Sequence, residues 1–327
     1  MNNGPFTKRA LILGAGQDAS FLADILLGKS EYEQVHLLHR RSSVDNLWRI
    51  AHIRDKLKLH RGDLADPSSI REAILAAQPH EIYGLADQDD ANWSGDIPAY
   101  SMDITADSVC RTLEIIRRMC PETKYFHPCS ALMFGDAPPP QNESTPFNPH
   151  SPFACAKIAA YHLCRMYRQV YGLHVCVGIM FNHDSPARSA DYVLHKICKA
   201  AVRIAAGEQK YLVLGRLGAR IDIGYARDYM EAAWAMLQHP RPDDYVIGTG
   251  VAWTIATMTR AAFELAGVQG FEEHITINAG ILRPGPQPTL IADSRKAREA
   301  FGFRPKTSVH DLIAMLVEHE EHCFAAR

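Results

Sequence analysis

Ala10-Leu11-Ile12-Leu13-Gly14-Ala15-Gly16-Gln17-Asp18-Ala19 is the stretch whose reading decides the fold. Four apolar residues form a short buried strand, and the chain then turns at once through G-x-G-x-x-A into a helix. Glycine at the first position allows the tight turn, and at the second it lets backbone amides approach a pyrophosphate at the helix N-terminus. Gly14, Gly16, Gln17 and Asp18 are therefore expected to hold a dinucleotide. A tight turn without a ligand is the plainer reading, and the strand-turn-helix setting argues against it.

Outward from this turn, short apolar runs alternate with amphipathic helices. Strands are expected at Ala10 to Leu13, Val35 to His39, Leu57 to His60, Ile82 to Leu85, Tyr125 to Pro128 and Val175 to Phe181. A long helix is expected from about Pro152 to Gly172. This alternation is the signature of a parallel sheet covered on both faces, so the fold class is α/β, a Rossmann-type doubly wound sheet. From Asn182 onward the elements become longer and less regular, with turn residues clustered at Arg283-Pro284-Gly285-Pro286. The expected division is a cofactor domain over 1–181 and a smaller substrate domain over 182–327, its segments interleaved with the sheet.

Composition narrows the classes of function. The 327 residues are 47% hydrophobic and 22% charged, enough to build a full core. A formal net charge of -2 supplies no global basic field, so neither nucleic acid nor an anionic membrane is an expected partner. No apolar run reaches the roughly 18 residues needed to cross a bilayer. Eight cysteines at irregular spacing, without C-x-x-C or a secretory leader, point to reduced thiols in a cytoplasm. Glu318, His319, His322 and Cys323 have helical spacing, but at a polar terminus they read as a solvated face, and no metal is expected.

The second strand ends in His39-Arg40-Arg41-Ser42-Ser43, where an acid would suit a free adenosine 2′-hydroxyl. Arg40, Arg41 and Ser42 instead suit a 2′-phosphate, which favours NADP, with NAD as the alternative. A solvated basic turn is the plainer reading of the same residues. Asp63 and Leu64 follow the third strand and are placed to reach the adenine, while Leu85 after the fourth would line the cofactor channel. In Ser151-Pro152-Phe153-Ala154-Cys155-Ala156-Lys157, Phe153 and Lys157 share one helix face a turn apart. A tyrosine there would form a Tyr-x-x-x-Lys pair, its phenol acidified by the ammonium. Phenylalanine has no proton to move.

With these residues assembled, the chain resembles the GDP-mannose 4,6-dehydratases of the extended short-chain dehydrogenase superfamily over nearly its whole length. The resemblance rests on Arg40-Arg41-Ser42-Ser43, Gly62-Asp63-Leu64, Gln78-Pro79-His80-Glu81-Ile82-Tyr83, Thr145-Pro146-Phe147, Phe181-Asn182-His183-Asp184-Ser185-Pro186, Ala226-Arg227-Asp228-Tyr229 and Tyr245-Val246-Ile247. It implies a nucleotide-diphosphate sugar, GDP-linked, as substrate and a homodimer or homotetramer as the assembly. In such dehydratases a tyrosinate takes the sugar O4 proton while the cofactor takes hydride from C4. A glutamate then takes the C5 proton, and water leaves from C6. Motif by motif, the family's threonine, glutamate, tyrosine and lysine fall on Ser130, Leu132, Phe153 and Lys157. The resemblance further implies Asn182, Arg188, Val193, Lys196 and Arg283 as contacts to diphosphate and guanosine.

Departures from the family pattern form a set. The glycine loop is one residue shorter than T-G-x-x-G-x-x-G, and the acid after Arg-Pro is Pro286. A phosphate-binding arginine falls on Ile221, with Arg220 one place early; on a strand that shift reverses the side chain's face, and a local backbone adjustment is expected to restore Arg220 as the phosphate contact. After the fourth strand, the family's serine and histidine fall on Asp89 and Asp90. Two adjacent carboxylates near a cofactor raise each other's pKa, one route to a base near neutral pH. A solvated acidic loop, Asp87-Gln88-Asp89-Asp90, is the plainer and favoured reading. Three functions remain: an enzyme with altered acid–base chemistry, using Lys157, Ser130, Asp89 or Asp90; a silent binder of cofactor or nucleotide sugar; and an ordinary dehydratase. Losing a positioned acid or base costs about 10² to 10⁴ in rate, and two such losses weigh against the third.

Overall fold

The computed structural model describes residues 7–326 except 44, 46, 279 and 281–288. Its first half runs β1 (Lys8–Leu13), α1 (Gln17–Leu27), β2 (Tyr32–His39), β3 (Leu57–Arg61), α2 (Pro67–Ala77), β4 (Glu81–Gly84), α3 (Pro98–Met102), α4 (Ser108–Met119), β5 (Lys124–Ser130), α5 (Pro152–Tyr171) and β6 (Val175–Met180). The second half continues with β7 (Asn182–Asp184), α6 (Val193–Ala205), β8 (Leu212–Leu214), β9 (Arg220–Tyr225), α7 (Ala226–Gln238), β10 (Asp244–Ile247), β11 (Ala252–Thr254), α8 (Ile255–Leu265), β12 (Ile275–Ile277), α9 (Arg295–Phe301) and α10 (Val309–Ala325). Seven parallel strands form one sheet in the order β10-β6-β5-β4-β1-β2-β3. The fold is Rossmann-type.

Helices cover both faces of this sheet, which is why its inner strands read as unbroken apolar runs. Every residue of Ala10–Leu13 and of Val175–Met180 is buried. The strand order reverses between β1 and β4, and a ligand crevice opens beyond the carboxyl ends of strands at such a point. The six expected strands are present, β2 beginning three residues early at Tyr32. The seventh, β10, is not among the strands expected from sequence, because four residues carry too little periodicity to announce one.

A second core gathers α6, α8 and α10 around Leu194, Ile197, Met258, Phe263, Leu312 and Leu316. The chain leaves the large sheet after β6, and returns for α7, β10 and the segment Leu290–Phe303, which pack into the first core. Between the cores lies a small sheet in the order β11-β9-β7. Asp222 on β9 is fully buried and binds the backbone N–H groups of Thr249, Gly250 and Ala292. One carboxylate thus ties β9 to two other segments, 249–250 and that of Ala292. Burial pushes its pKa up, against the pull of those hydrogen bonds. Among the described residues no helix is long and apolar enough to cross a membrane.

Candidate functional site

The crevice is a cavity of about 310 Å³ at the ends of β1, β2, β3 and β4. Gly14, Ala15 and Gly16 form its floor, His39, Arg40, Gly62, Asp63 and Leu64 one end, and Asp87, Gln88, Asp89 and Trp93 the other. Gly14 is required by geometry: its φ is +124°, and a Cβ there would stand 2.9 Å from the Leu85 carbonyl oxygen. Gly16, the N-cap of α1, has nothing within 4 Å of where a Cβ would be, so an anion can approach the backbone. This cradle fits the diphosphate of a dinucleotide.

Of the residues expected to hold a cofactor, Gly14, Gly16, Arg40, Asp63 and Leu64 line the cavity. Leu85 meets it through its backbone against Gly14, while Arg41 and Ser42 are exposed just past the end of β2. Arg40 reaches the Tyr100 hydroxyl at 3.3 Å. Gln17 and Asp18 do not line the crevice. Gln17 accepts a hydrogen bond from Ser185 at 2.7 Å, and Asp18 pairs with His183 at 3.0 Å. The run Phe181 to Ser185 therefore fastens β7 to the first turn of α1. Burial works to raise the Asp18 pKa, but His183 and then Arg188 outweigh it and bring it down to about 2. His183 is correspondingly raised, Asp18 overcoming the effect of burial.

The residues that the resemblance matches to the family's catalytic set lie at the end of β5 and in the first turns of α5. The Ser151 side chain caps α5 by accepting from the Ala154 N–H, Pro152 starts it, and Gly172 closes it in a left-handed conformation. Phe153 and Lys157 do share one face, with the Lys157 ammonium 5.7 Å from the Phe153 ring centre. Phe153 is only 5% exposed, and its backbone N–H donates to the buried Ser94 hydroxyl. Ser130 ends β5 and its hydroxyl accepts from the Leu132 N–H at 3.2 Å. The Lys157 ammonium donates to the Pro128 carbonyl at 2.6 Å and forms an ion pair with Asp87.

The acidic loop is not uniformly solvated. Asp89 lines the cavity and accepts from the Tyr192 hydroxyl at 2.9 Å, with the Arg188 guanidinium 3.6 Å away. Burial, then the neighbouring Asp87 carboxylate, raise its pKa against Arg188 and Tyr192. Because 61% of the side chain meets solvent at the cavity mouth, that upward push is modest. Asp90 behaves differently. Its carboxylate accepts from the Asn92 and Trp93 N–H groups and sets the turn that follows. Both of those bonds are local, and the side chain does not line the cavity.

Among the expected substrate contacts, Asn182 is exposed at the start of β7, Val193 and Lys196 lie in the first turn of α6, and Arg188 stacks on the Tyr192 ring at 3.6 Å. Arg220 is exposed on β9, whose register with β11 is regular, and Ile221 packs toward the second core. Along that register no bulge returns Arg220 to the Ile221 face. Arg283 and Pro286 lie outside the described residues. Two cavity residues carry no signal in the sequence that singles them out. Arg49 donates to the Ala187 carbonyl at 2.6 Å from a 3-10 segment with no motif, and Asp87 is visible there only as one acid among several. Among the described residues no group of His, Cys, Asp and Glu has the arrangement to hold a metal.

Sheet order, glycine turn and crevice define a protein of the dinucleotide-binding fold. The family model described as GDP-mannose 4,6 dehydratase matches residues 11–316. GDP-mannose 4,6 dehydratase 1 of Arabidopsis thaliana is 41% identical over 326 residues, covering 96% of this chain and 90% of that protein. The Sinorhizobium fredii GDP-mannose 4,6-dehydratase is 38% identical over 340 residues, with 96% of each chain covered. The chain belongs to the GDP-mannose 4,6 dehydratase family. Among solved structures, DesIV, a dTDP-glucose 4,6-dehydratase of Streptomyces venezuelae with NAD and TYD bound, aligns with a TM-score of 0.87 at 20% identity, covering 97% of this chain and 98% of that one. A Thermus thermophilus UDP-glucose 4-epimerase in complex with NAD aligns at 0.82 and 23% identity, covering 95% and 98%.

Proposed function

We propose that this chain binds NADP and a GDP-linked or related nucleoside-diphosphate sugar in the cytoplasm, and converts the sugar with altered acid–base chemistry. The observation that carries the reading is one cavity joining the glycine cradle to Asp89, in a family member whose tyrosine and glutamate positions hold Phe153 and Leu132. The cofactor, when bound, would supply hydride transfer. Gly14 and Gly16 would receive its diphosphate, and Arg40 with Arg41 its 2′-phosphate. Asp89 would take the proton from a sugar hydroxyl, with Tyr192 and Arg188 steadying the carboxylate. Ser130 would orient that hydroxyl. A cofactor half and a sugar half dividing at 181/182 remain our reading, with α7, β10 and Leu290–Phe303 returning from the second half to the first core. All eight cysteines are free thiols, in keeping with a reducing compartment, and a homodimer or homotetramer is the assembly the family suggests.

A second reading, a silent binder, draws support from the same pocket: Phe153 and Lys157 are buried and the ammonium is already bound. The test is to titrate the protein with NADPH and NADH, then follow reduced-nicotinamide absorbance and sugar mass with GDP-mannose and related nucleotide sugars. Turnover that changes the sugar without loss of water supports altered chemistry. Loss of one water that survives Asp89→Asn refutes it, and tight binding without turnover on any sugar leaves the silent reading standing.

A further inference from the structure

Asp87 is the third residue beyond β4, and its Oδ2 holds the ammonium of Lys157. The lysine side chain is 4% exposed and that of Asp87 16%. Of the two, the carboxylate is the one that lines the cavity. An ion pair so far withdrawn from water adds little net stability, because desolvation offsets the attraction. Its effect is directional. Pro128 on β5 fixes the ammonium at 2.6 Å, and the ammonium fixes the carboxylate. Among the described residues Oδ1 of Asp87 has no hydrogen-bond partner. A carboxylate that lines a cavity with acceptor capacity unspent is suited to hydroxyl donors.

The cavity has a polarity along its length. His39, Arg40 and the Gly62 to Leu64 turn mark the end over β2 and β3, and the glycine turn marks the middle. A dinucleotide with its diphosphate on α1 and one ribose beside β2 lays its second ribose on the β4 and β5 side. That is where Asp87 stands. We infer that Asp87 accepts hydrogen bonds from the hydroxyls of the nicotinamide-side ribose, and that Lys157 is a positioning residue behind it. The lysine does not meet the ribose; the aspartate is interposed. This inference rests on the dinucleotide reading above.

Calorimetric titration with two ligands separates the possibilities. NADPH carries both riboses, and adenosine 2′,5′-bisphosphate lacks the nicotinamide-side one. Losing a hydrogen bond to a charged group should weaken NADPH by about tenfold or more in Asp87→Asn, with the bisphosphate changed by less than about twofold. Asp87→Glu keeps the charge beside Lys157 but moves the oxygens, and should show the same selective loss. The pair Asp87→Ala with Lys157→Met leaves no buried lone charge and should do so too, which guards against a variant that merely fails to fold. Equal weakening of both ligands, or unchanged NADPH affinity across the set, overturns the role of Asp87 and leaves dinucleotide binding intact. Wild-type protein that binds neither ligand overturns both readings.

Discussion

Restoring the phenol at position 153 should not by itself restore a dehydratase, and the reason lies in the Lys157 surroundings. Taking the 5.7 Å from the ammonium to the Phe153 ring centre as the scale of the separation, and an effective dielectric of about 20, a bare ammonium would stabilise a phenolate by roughly 3 kcal/mol, about two pKa units. A phenol near 10 would fall to about 8, and about a tenth of it would be ionised at pH 7. Here Asp87 lies directly against that ammonium, so the phenolate would meet a short dipole and most of the gain would cancel. The ionised fraction then stays near about one part in a thousand. Phe153→Tyr with Leu132→Glu is therefore expected to show little dehydration of GDP-mannose. Adding Asp87→Ala, at saturating cofactor, should raise the rate by about ten- to a hundredfold. Water loss from the sugar, read by mass spectrometry under single-turnover conditions, is the assay. Full dehydratase activity in the double replacement, with no further gain from Asp87→Ala, would refute the argument.

The Asp18–His183 pair makes the tie between α1 and β7 dependent on pH. Asp18, lowered to about 2, contributes about 2 kcal/mol that is present above its unfolded pKa and lost as pH falls through the folded value. His183 is raised, so its contribution is full below its unfolded pKa and lost as pH rises through the folded one. A double-mutant cycle with Asp18→Asn and His183→Gln should give its largest coupling between about pH 4 and 6.5, fading as pH rises through the raised folded pKa of His183; a flat profile would contradict it. Gly14→Ala forces a Cβ against the Leu85 carbonyl at a φ few side chains accept, and should abolish NADPH binding and lower the melting temperature. Retained affinity would argue against the cradle. Asp222→Ala leaves one buried and two part-buried N–H groups without their acceptor and should cost roughly 2–4 kcal/mol by chemical denaturation. A loss below about 1 kcal/mol would mean the segments are held by packing.

Local pattern carried the large sheet. Strands buried on both faces must be continuous apolar runs, Gly14 is demanded by a positive φ that few other residues accept, and Gly16 keeps the helix N-terminus open, so β1 through β6 and the glycine cradle were legible along the chain. The four-residue β10 was not, since its place depends on a neighbour, β6, more than sixty residues upstream. Helical spacing alone put Phe153 and Lys157 on one face, and the absence of a phenol could be read directly.

Charge partnerships were another matter. Asp87, Asp89 and Asp90 are nearly consecutive and chemically alike, yet one binds a buried lysine, one lines the cavity beneath Tyr192, and one caps a turn. Likewise Asp18 belongs by motif to a cofactor loop, and in space to His183. The sequence by itself determined the sheet, the turn and the missing hydroxyl, because these follow from backbone sterics and periodicity. Only the tertiary structure decided which carboxylate meets which cation, because that depends on side chains brought within a few ångströms by segments far apart in the chain.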